Sequence, residues 1–377
     1  MATSEQSLWY KCKKELVVGI EDRKNMIYYE GQYETKESRA RWKCVVVYFQ
    51  GDIQEEGHKL EMDPEYFAFA PSYSREGTIV LLRNRFSISF PDIASTIVHQ
   101  DGTEDKNVEN NAHAFDTDTD LGILLVKPAR MDNHEALYDN LVSRPATSAR
   151  HLSALLRNFG VSETSRLILV GFSKGGLVLL TLFAEYGNLR IALDEQDDNS
   201  VVPMLDWEEP SFVALPSYEP QQRIGRTNTP RSHLTRYSKD ILLLFDRISY
   251  IHILDGHRFP TQAQITQKVA QWLFDRAFTA FPAFILVHAT PRQICDRRRT
   301  FIMIEHQHFL QTFEQFFQAL VSNRSSTNLP SAFFSSLFSH FEYFQNEKAS
   351  SSLHSHFDIH LVFSLSPLNA TPLLLHS

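Results

Sequence analysis

The six residues GFSKGG (171–176) constrain this chain more than any other stretch. They lie between a short apolar run, LILV (167–170), and a long one, LVLLTLF (177–183). A strand that turns sharply into a buried helix around a lone serine is the nucleophile-elbow pattern, which lifts a hydroxyl above a sheet. Gly171 and Gly175 leave room where the neighbouring strand and helix crowd the turn, and Gly176 lets the helix pack closely. The backbone N–H of Lys174 lies at the positive end of the following helix, where it is available to a developing oxyanion. The competing reading is an ordinary glycine turn that contains Ser173. Nucleotide binding has less support, because the spacing fits neither GxGxxG nor the Walker pattern.

The flanking segments supply the context. RWKCVVVYF (41–49) is a β-branched strand that stops at Gln50-Gly51-Asp52. LGILLVKPAR (121–130), RLILV (166–170), SYIHIL (249–254) and AFILVHA (283–289) read as further buried strands, and a last one falls near 337–343. ELVVGI (15–20) and NMIYYEGQYE (25–34) read as a strand pair at a sheet edge, and TIVLLRN (78–84) as another strand. Leu152, Leu155, Leu156 and Phe159 recur at i, i+3, i+4, i+7. They predict an amphipathic helix capped by Thr147 or Ser148 and ended by Gly160. Further helices are expected over 174–186, where Gly187 acts as the stop, near 238–246, over 261–279, and around the apolar face of Phe309, Leu310, Phe313, Phe316, Phe317 and Leu320. Strands alternating with helices predict an α/β fold: a mainly parallel, doubly wound sheet with helices on both faces. We read one domain over 1–377. It carries a surface insertion at 194–236 and a Ser- and Phe-rich stretch at 321–355 leading to the terminal histidines.

Composition excludes several classes. The formal charge is −8, which argues against a nucleic-acid partner held by bulk electrostatics. The three cysteines are widely spaced and form neither a disulfide framework nor a metal knuckle. No metal or organic cofactor is implied, since His, Cys and carboxylates do not cluster at ligand spacing. No apolar run reaches the ~18 to 20 residues that span a bilayer, so no transmembrane segment is expected.

A serine needs an adjacent histidine to become a nucleophile, and in this pattern the chain order is Ser, Asp or Glu, then His. Of 16 histidines few follow the last strand, and His354, His356 and His360 qualify. Two acids qualify. Asp255 sits in a tight turn after SYIHIL, where turn formation is the plainer reading. Asp296 lies beyond AFILVHA, where a surface ion pair or helix cap competes. His257 and His288 lie at strand ends and could line the pocket. Gln50 and Gly51 are candidates for the second oxyanion donor; Asp52 beside them would oppose an oxyanion unless it turns away.

The segments CVVVYFQGDIQ, LVGFSKGGLVLL, YIHILDGH, LVHATPRQICDRRR and HSHFDIH occur together and in this order. With them the chain resembles a metazoan-centred family of mitochondrial proteins named after a chromosome-two open reading frame. The resemblance implies an α/β-hydrolase-like fold, a serine hydrolase activity and a mitochondrial role. It carries over Ser173 as nucleophile, Asp296 or Asp255 as acid and His356 as base, because the His-Phe pair matches at 356–357. The N-terminus lacks the Arg-rich, acid-poor look of a transit peptide, which keeps a cytoplasmic location open. The expected activity is hydrolysis of an ester, thioester or amide of a small-molecule acyl substrate. The expectation from a different class is a binding or scaffolding protein that keeps the elbow without competent geometry.

Overall fold

The computed structural model describes residues 12–30, 32–51, 74–98, 117–128, 130–132, 135–138, 147–197, 231–323, 331–343 and 353–365. Ten strands lie among them: β1 (Cys12–Val18), β2 (Lys24–Glu30), β3 (Cys44–Phe49), β4 (Leu121–Val126), β5 (Arg130–Asp132), β6 (Glu135–Leu137), β7 (Arg166–Phe172), β8 (Ile248–Leu254), β9 (Phe284–Ala289) and β10 (Phe338–Glu342). The helices longer than one turn are α1 (Arg75–Val98), α2 (Ser148–Phe159), α3 (Gly176–Asp197), α4 (Arg231–Arg247), α5 (Ala263–Arg276), α6 (Thr300–Asn323), α7 (Ser331–Leu337) and α8 (Leu353–Val362).

Eight strands form one sheet in the order β1-β2-β4-β3-β7-β8-β9-β10, while β5 and β6 pair as a small separate hairpin. From β4 to β10 every neighbour is parallel; β2 runs against both β1 and β4. Every residue of β3, β4, β8 and β9 is buried. That is why these strands read as continuous apolar runs and not as alternating ones. The chain leaves β3 for β4 on one side and later returns to β7 on the other. Beta-3 and β7 therefore flank the point where the winding reverses, and open α/β sheets bind ligands at the carboxyl ends of such strands.

Four local expectations are corrected. TIVLLRN is helical, inside α1. Ile79, Leu82, Arg83 and Phe86 form its buried face, and the arginine at the i+4 position hides the helical period from the sequence. Gly187 does not stop α3, which continues to Asp197. A Cβ at Gly187 would lie 3.0 Å from the Ile265 backbone, so its glycine serves close packing of α3 on α5. Thr147 offers α2 no side-chain cap; the Glu185 carboxylate accepts from Ser148 N and Ala149 N at 2.7 and 2.9 Å. The insertion expected at 194–236 loses its ends to α3 and α4, and 198–230 lies outside the described residues.

Segment 173–194 is long and apolar enough to cross a membrane by length and composition, but it packs mostly buried against the sheet and α5. No clear transmembrane segment exists among the described residues.

Helix α1 is fixed to the sheet by a buried ion pair. Arg83 Nε donates to both Glu30 oxygens at 2.8 and 3.0 Å, and its Nη2 reaches the Leu121 carbonyl at 2.6 Å. Removing one partner of such a pair strands the other charge in the core. Glu30→Gln is expected to lower unfolding free energy by about 3 kcal/mol or more. The double change with Arg83→Met should recover most of it in urea titrations. Equal stability of Glu30→Gln and the wild type would contradict this assignment.

Candidate active site

Ser173 opens a single 3-10 turn between β7 and α3. Its φ is 52°, in the left-handed region that a non-glycine residue enters only under strain of about 1–3 kcal/mol. The surroundings enforce this corner by close backbone approach. A Cβ on Gly175 would fall 2.0 Å from the Phe49 carbonyl oxygen at the end of β3. One on Gly51 would fall 2.9 Å from Ser173 Cβ. Gly171 is similarly crowded, by Gly175 O and Leu179 at 2.8 Å. The hydroxyl-bearing residue is partly exposed at the sheet's carboxyl edge, beside the Gln50-Gly51 segment.

Asp255 ends the next strand, β8, in a second left-handed corner at φ 47°. Its side chain is fully buried. Oδ1 accepts from Thr290 N at 2.6 Å. Oδ2 accepts from Thr290 Oγ1 at 2.5 Å and from His356 Nδ1 at 2.6 Å. A carboxylate can only accept, so Nδ1 of His356 carries a proton, and in the neutral ring the lone pair is on Nε2. That is the tautomer a general base for a serine requires. The His356 ring packs on Phe172, with centroids 4.5 Å apart, and Phe172 is the residue before Ser173. Among the described residues Ser173 Oγ makes no hydrogen bond; an acid–histidine contact is formed and a histidine–serine contact is not. Catalytic hydrogen bonds are often long in the absence of ligand.

The structure thus brings Ser173, His356 and Asp255 to one edge and leaves Asp296 apart. Asp296 faces Arg299 at 3.9 Å across the turn before α6 and accepts Arg299 N through its backbone oxygen at 2.9 Å. The sequence could not separate the two acids, because both follow a strand. The contacts decide: Asp255, the first residue after β8, meets His356, whereas Asp296, seven beyond β9, meets Arg299. His360 is in the core, with Nδ1 at 2.8 Å from Phe357 O and Nε2 at 2.8 Å from Tyr48 Oη. For His354, the structure places the residue in α8. His288 is buried between His252 Nδ1 at 3.3 Å and Tyr343 Oη at 3.0 Å, below the site. Desolvation, together with the charges of Arg258, Lys174 and Arg299, lowers the pKa of half-buried His257 to about 3.

The Gln50 side chain accepts from Arg75 Nε at 2.9 Å, and its carbonyl accepts from Tyr138 Oη at 2.8 Å. In a trans peptide this turns the N–H of Gly51 away from Tyr138. Gln50 is therefore a strut for the turn, and its side chain is already committed. Asp52 lies outside the described residues. Thr290 was missed by sequence reasoning. The signal was present as Thr-Pro directly after a buried strand, but nothing in one chain says that its hydroxyl meets a carboxylate 35 positions earlier.

A parallel sheet in this strand order, with a strained serine after β7 and an acid–histidine pair beyond β8 and β10, defines an α/β-hydrolase fold. The C2orf69 family model matches residues 13–164 and 231–318, and the chain belongs to that family. No curated protein sequence matches the chain. Among solved structures it is similar to the siderophore hydrolase EstA from Aspergillus nidulans, at 11% identity, TM-score 0.37, over 98% of this chain and 99% of that one. An IroE-like serine hydrolase from Shewanella oneidensis is similar at 9% identity and TM-score 0.35, covering 92% and 78%. The esterase Pf2001 from Pyrococcus furiosus is similar at 9% and 0.30, covering 88% and 82%. The activities in those names belong to those proteins, and the fold assignment here stands on strand order.

Burial lowers the pKa of several histidines below 6.5: to about 4 for His151 and His306, and to about 3 for His252 and His360. The unfolded chain binds more protons than the folded one between those values and 6.5. Stability is therefore full above about pH 6.5 and is lost as pH falls toward 3, at up to ~1.4 kcal/mol per pH unit per histidine. Thermal melts at pH 7.5 and 5.0 should differ by roughly 10 °C or more. A flat profile over that range would show that these rings take up protons as readily in the folded state as in the unfolded chain.

Proposed function

We propose that the protein is a serine hydrolase acting on an ester, thioester or amide. The observation that carries this reading is the 2.6 Å contact of His356 Nδ1 with Asp255, on an imidazole packed on Phe172, the residue before the strained Ser173. Ser173 Oγ attacks the substrate carbonyl while His356 Nε2 takes its proton. Asp255 holds the ring and stabilises the imidazolium. In this reading the oxyanion is assigned to backbone N–H groups of Lys174 and Gly51; one such donor is worth ~2.7 to 4 kcal/mol. The imidazolium then protonates the leaving group. Water deprotonated by the same nitrogen attacks the acyl-enzyme and releases the acid and free Ser173.

One observation favours a second reading, a binding protein on a hydrolase scaffold: Ser173 Oγ has no hydrogen bond to His356 among the described residues. A fluorophosphonate probe separates the two. The wild type should label and Ser173→Ala should not. Asp255→Asn should label on the order of 10³- to 10⁴-fold more slowly, because the amide favours the wrong tautomer. A wild-type chain that resists the probe, under conditions where control hydrolases react, favours the binding protein.

A further inference from the structure

His356 is delivered by α8, a short helix from the far end of the chain, and something must set its height and rotation over Ser173. Helix C-termini leave four carbonyls without intrahelical partners. At this one, Arg85 of α1 supplies donors. Its Nη1 donates to His360 O at 2.6 Å, its Nη2 donates to Phe363 O, and the guanidinium lies 4.5 Å from the Phe363 ring. The guanidinium is half-buried and has no carboxylate partner among the described residues. Burial lowers its pKa to about 10. A cation placed there without an anion is costly unless its hydrogen bonds are needed. The negative end of α8 and the two carbonyls are what it faces.

The contact is transmitted upward. His360 and His356 are one turn apart on the same face of α8. Both rings rest on Phe172, at 4.3 and 4.5 Å. His360 has no freedom to turn. Its Nδ1–H must donate to the Phe357 carbonyl, so its Nε2 accepts from the Tyr48 hydroxyl of β3. Ser364 N donates to Tyr343 Oη at 2.9 Å, closing the segment onto the end of β10.

We propose that Arg85 is a positioning residue of this site: by clamping the C-terminal carbonyls of α8, it sets the register in which His356 reaches Ser173. Its consequence for reactivity rests on the serine-hydrolase reading above; the clamp itself does not. The test uses the full chain as Arg85→Met and Arg85→Lys. Arg166→Met serves as a control, since that arginine donates to Asp246 O at the opposite end of the sheet. Fluorophosphonate labelling rates of the folded proteins are measured together with amide hydrogen exchange. Displacement of a reacting group by about 1 Å costs on the order of 10²-fold. Arg85→Met should therefore label about 100-fold more slowly, with faster exchange confined to α8. Added guanidinium ion should restore part of the rate in Arg85→Met and leave Arg166→Met unaffected. Arg85→Lys should fall between, because an ammonium cannot hold two carbonyls as a planar fork.

Wild-type labelling by folded Arg85→Met would overturn the proposal, as would slowing shared with Arg166→Met and spread over the whole sheet. If the wild type does not label at all, the hydrolase reading fails. The clamp is then decided by exchange alone: protection of α8 lost on Arg85→Met supports it, and unchanged protection overturns it.

Discussion

The contact between Asp255 and His356 joins residues 101 positions apart, and the upper edge of the sheet is arranged around it. A fully buried carboxylate is stable only if its lone pairs are taken up. Here Thr290 supplies an N–H and a hydroxyl, and His356 supplies an N–H. Three strand ends are thereby committed. Beta-8 must turn into a left-handed corner at Asp255, β9 must end where Thr290 can reach it, and the chain after β10 must fold back as α8. Beside this, Ser173 occupies the other strained corner, one strand away, at the reversal of winding.

Helix α1 connects this edge to the rest of the molecule. Two of its arginines are spent on different elements. Arg83 binds Glu30 on β2 and the start of β4; Arg85 binds the end of α8. The helix is a strut between one side of the sheet and the segment that carries the imidazole. Beside that segment His252, His288, Phe86 and Phe363 form a layer in ring contact, while His360 packs on Tyr48 and Phe172. Burial lowers the pKa of each of these histidines, and the Arg85 charge lowers it further. Neutral imidazoles there can accept and donate in fixed directions, as a layer of charged rings could not.

Much of the fold was legible because burial on both faces writes strands as unbroken apolar runs. VVVYF, LGILLV, RLILV, SYIHIL and AFILVHA all occupy the sheet. The elbow was legible for a steric reason: glycine at 175 is demanded by a carbonyl 2.0 Å from where a side chain would begin. Helix α1 was not legible, since Arg83 stands where an apolar residue would have shown the period. Gly187 misled because close packing between helices and helix termination call for the same residue. Of the site, Ser173 and the terminal His-Phe pair were readable. The choice between Asp255 and Asp296, and the parts played by Thr290 and Arg85, were not.

From the residues alone came the local decisions: which stretches are strand or helix, where backbone crowding requires glycine, and which side chains have chemistry worth placing. Those follow from sterics and periodicity over a few residues. Tertiary structure decided which acid meets the imidazole, which histidine meets a carboxylate and which is locked into the core, and which arginine binds the end of the helix that carries them. Hydrogen bonding acts over about 3 Å in space and is indifferent to separation along the chain. Only the folded sheet, by bringing 85, 173, 255, 290 and 356 to one edge, could make those choices.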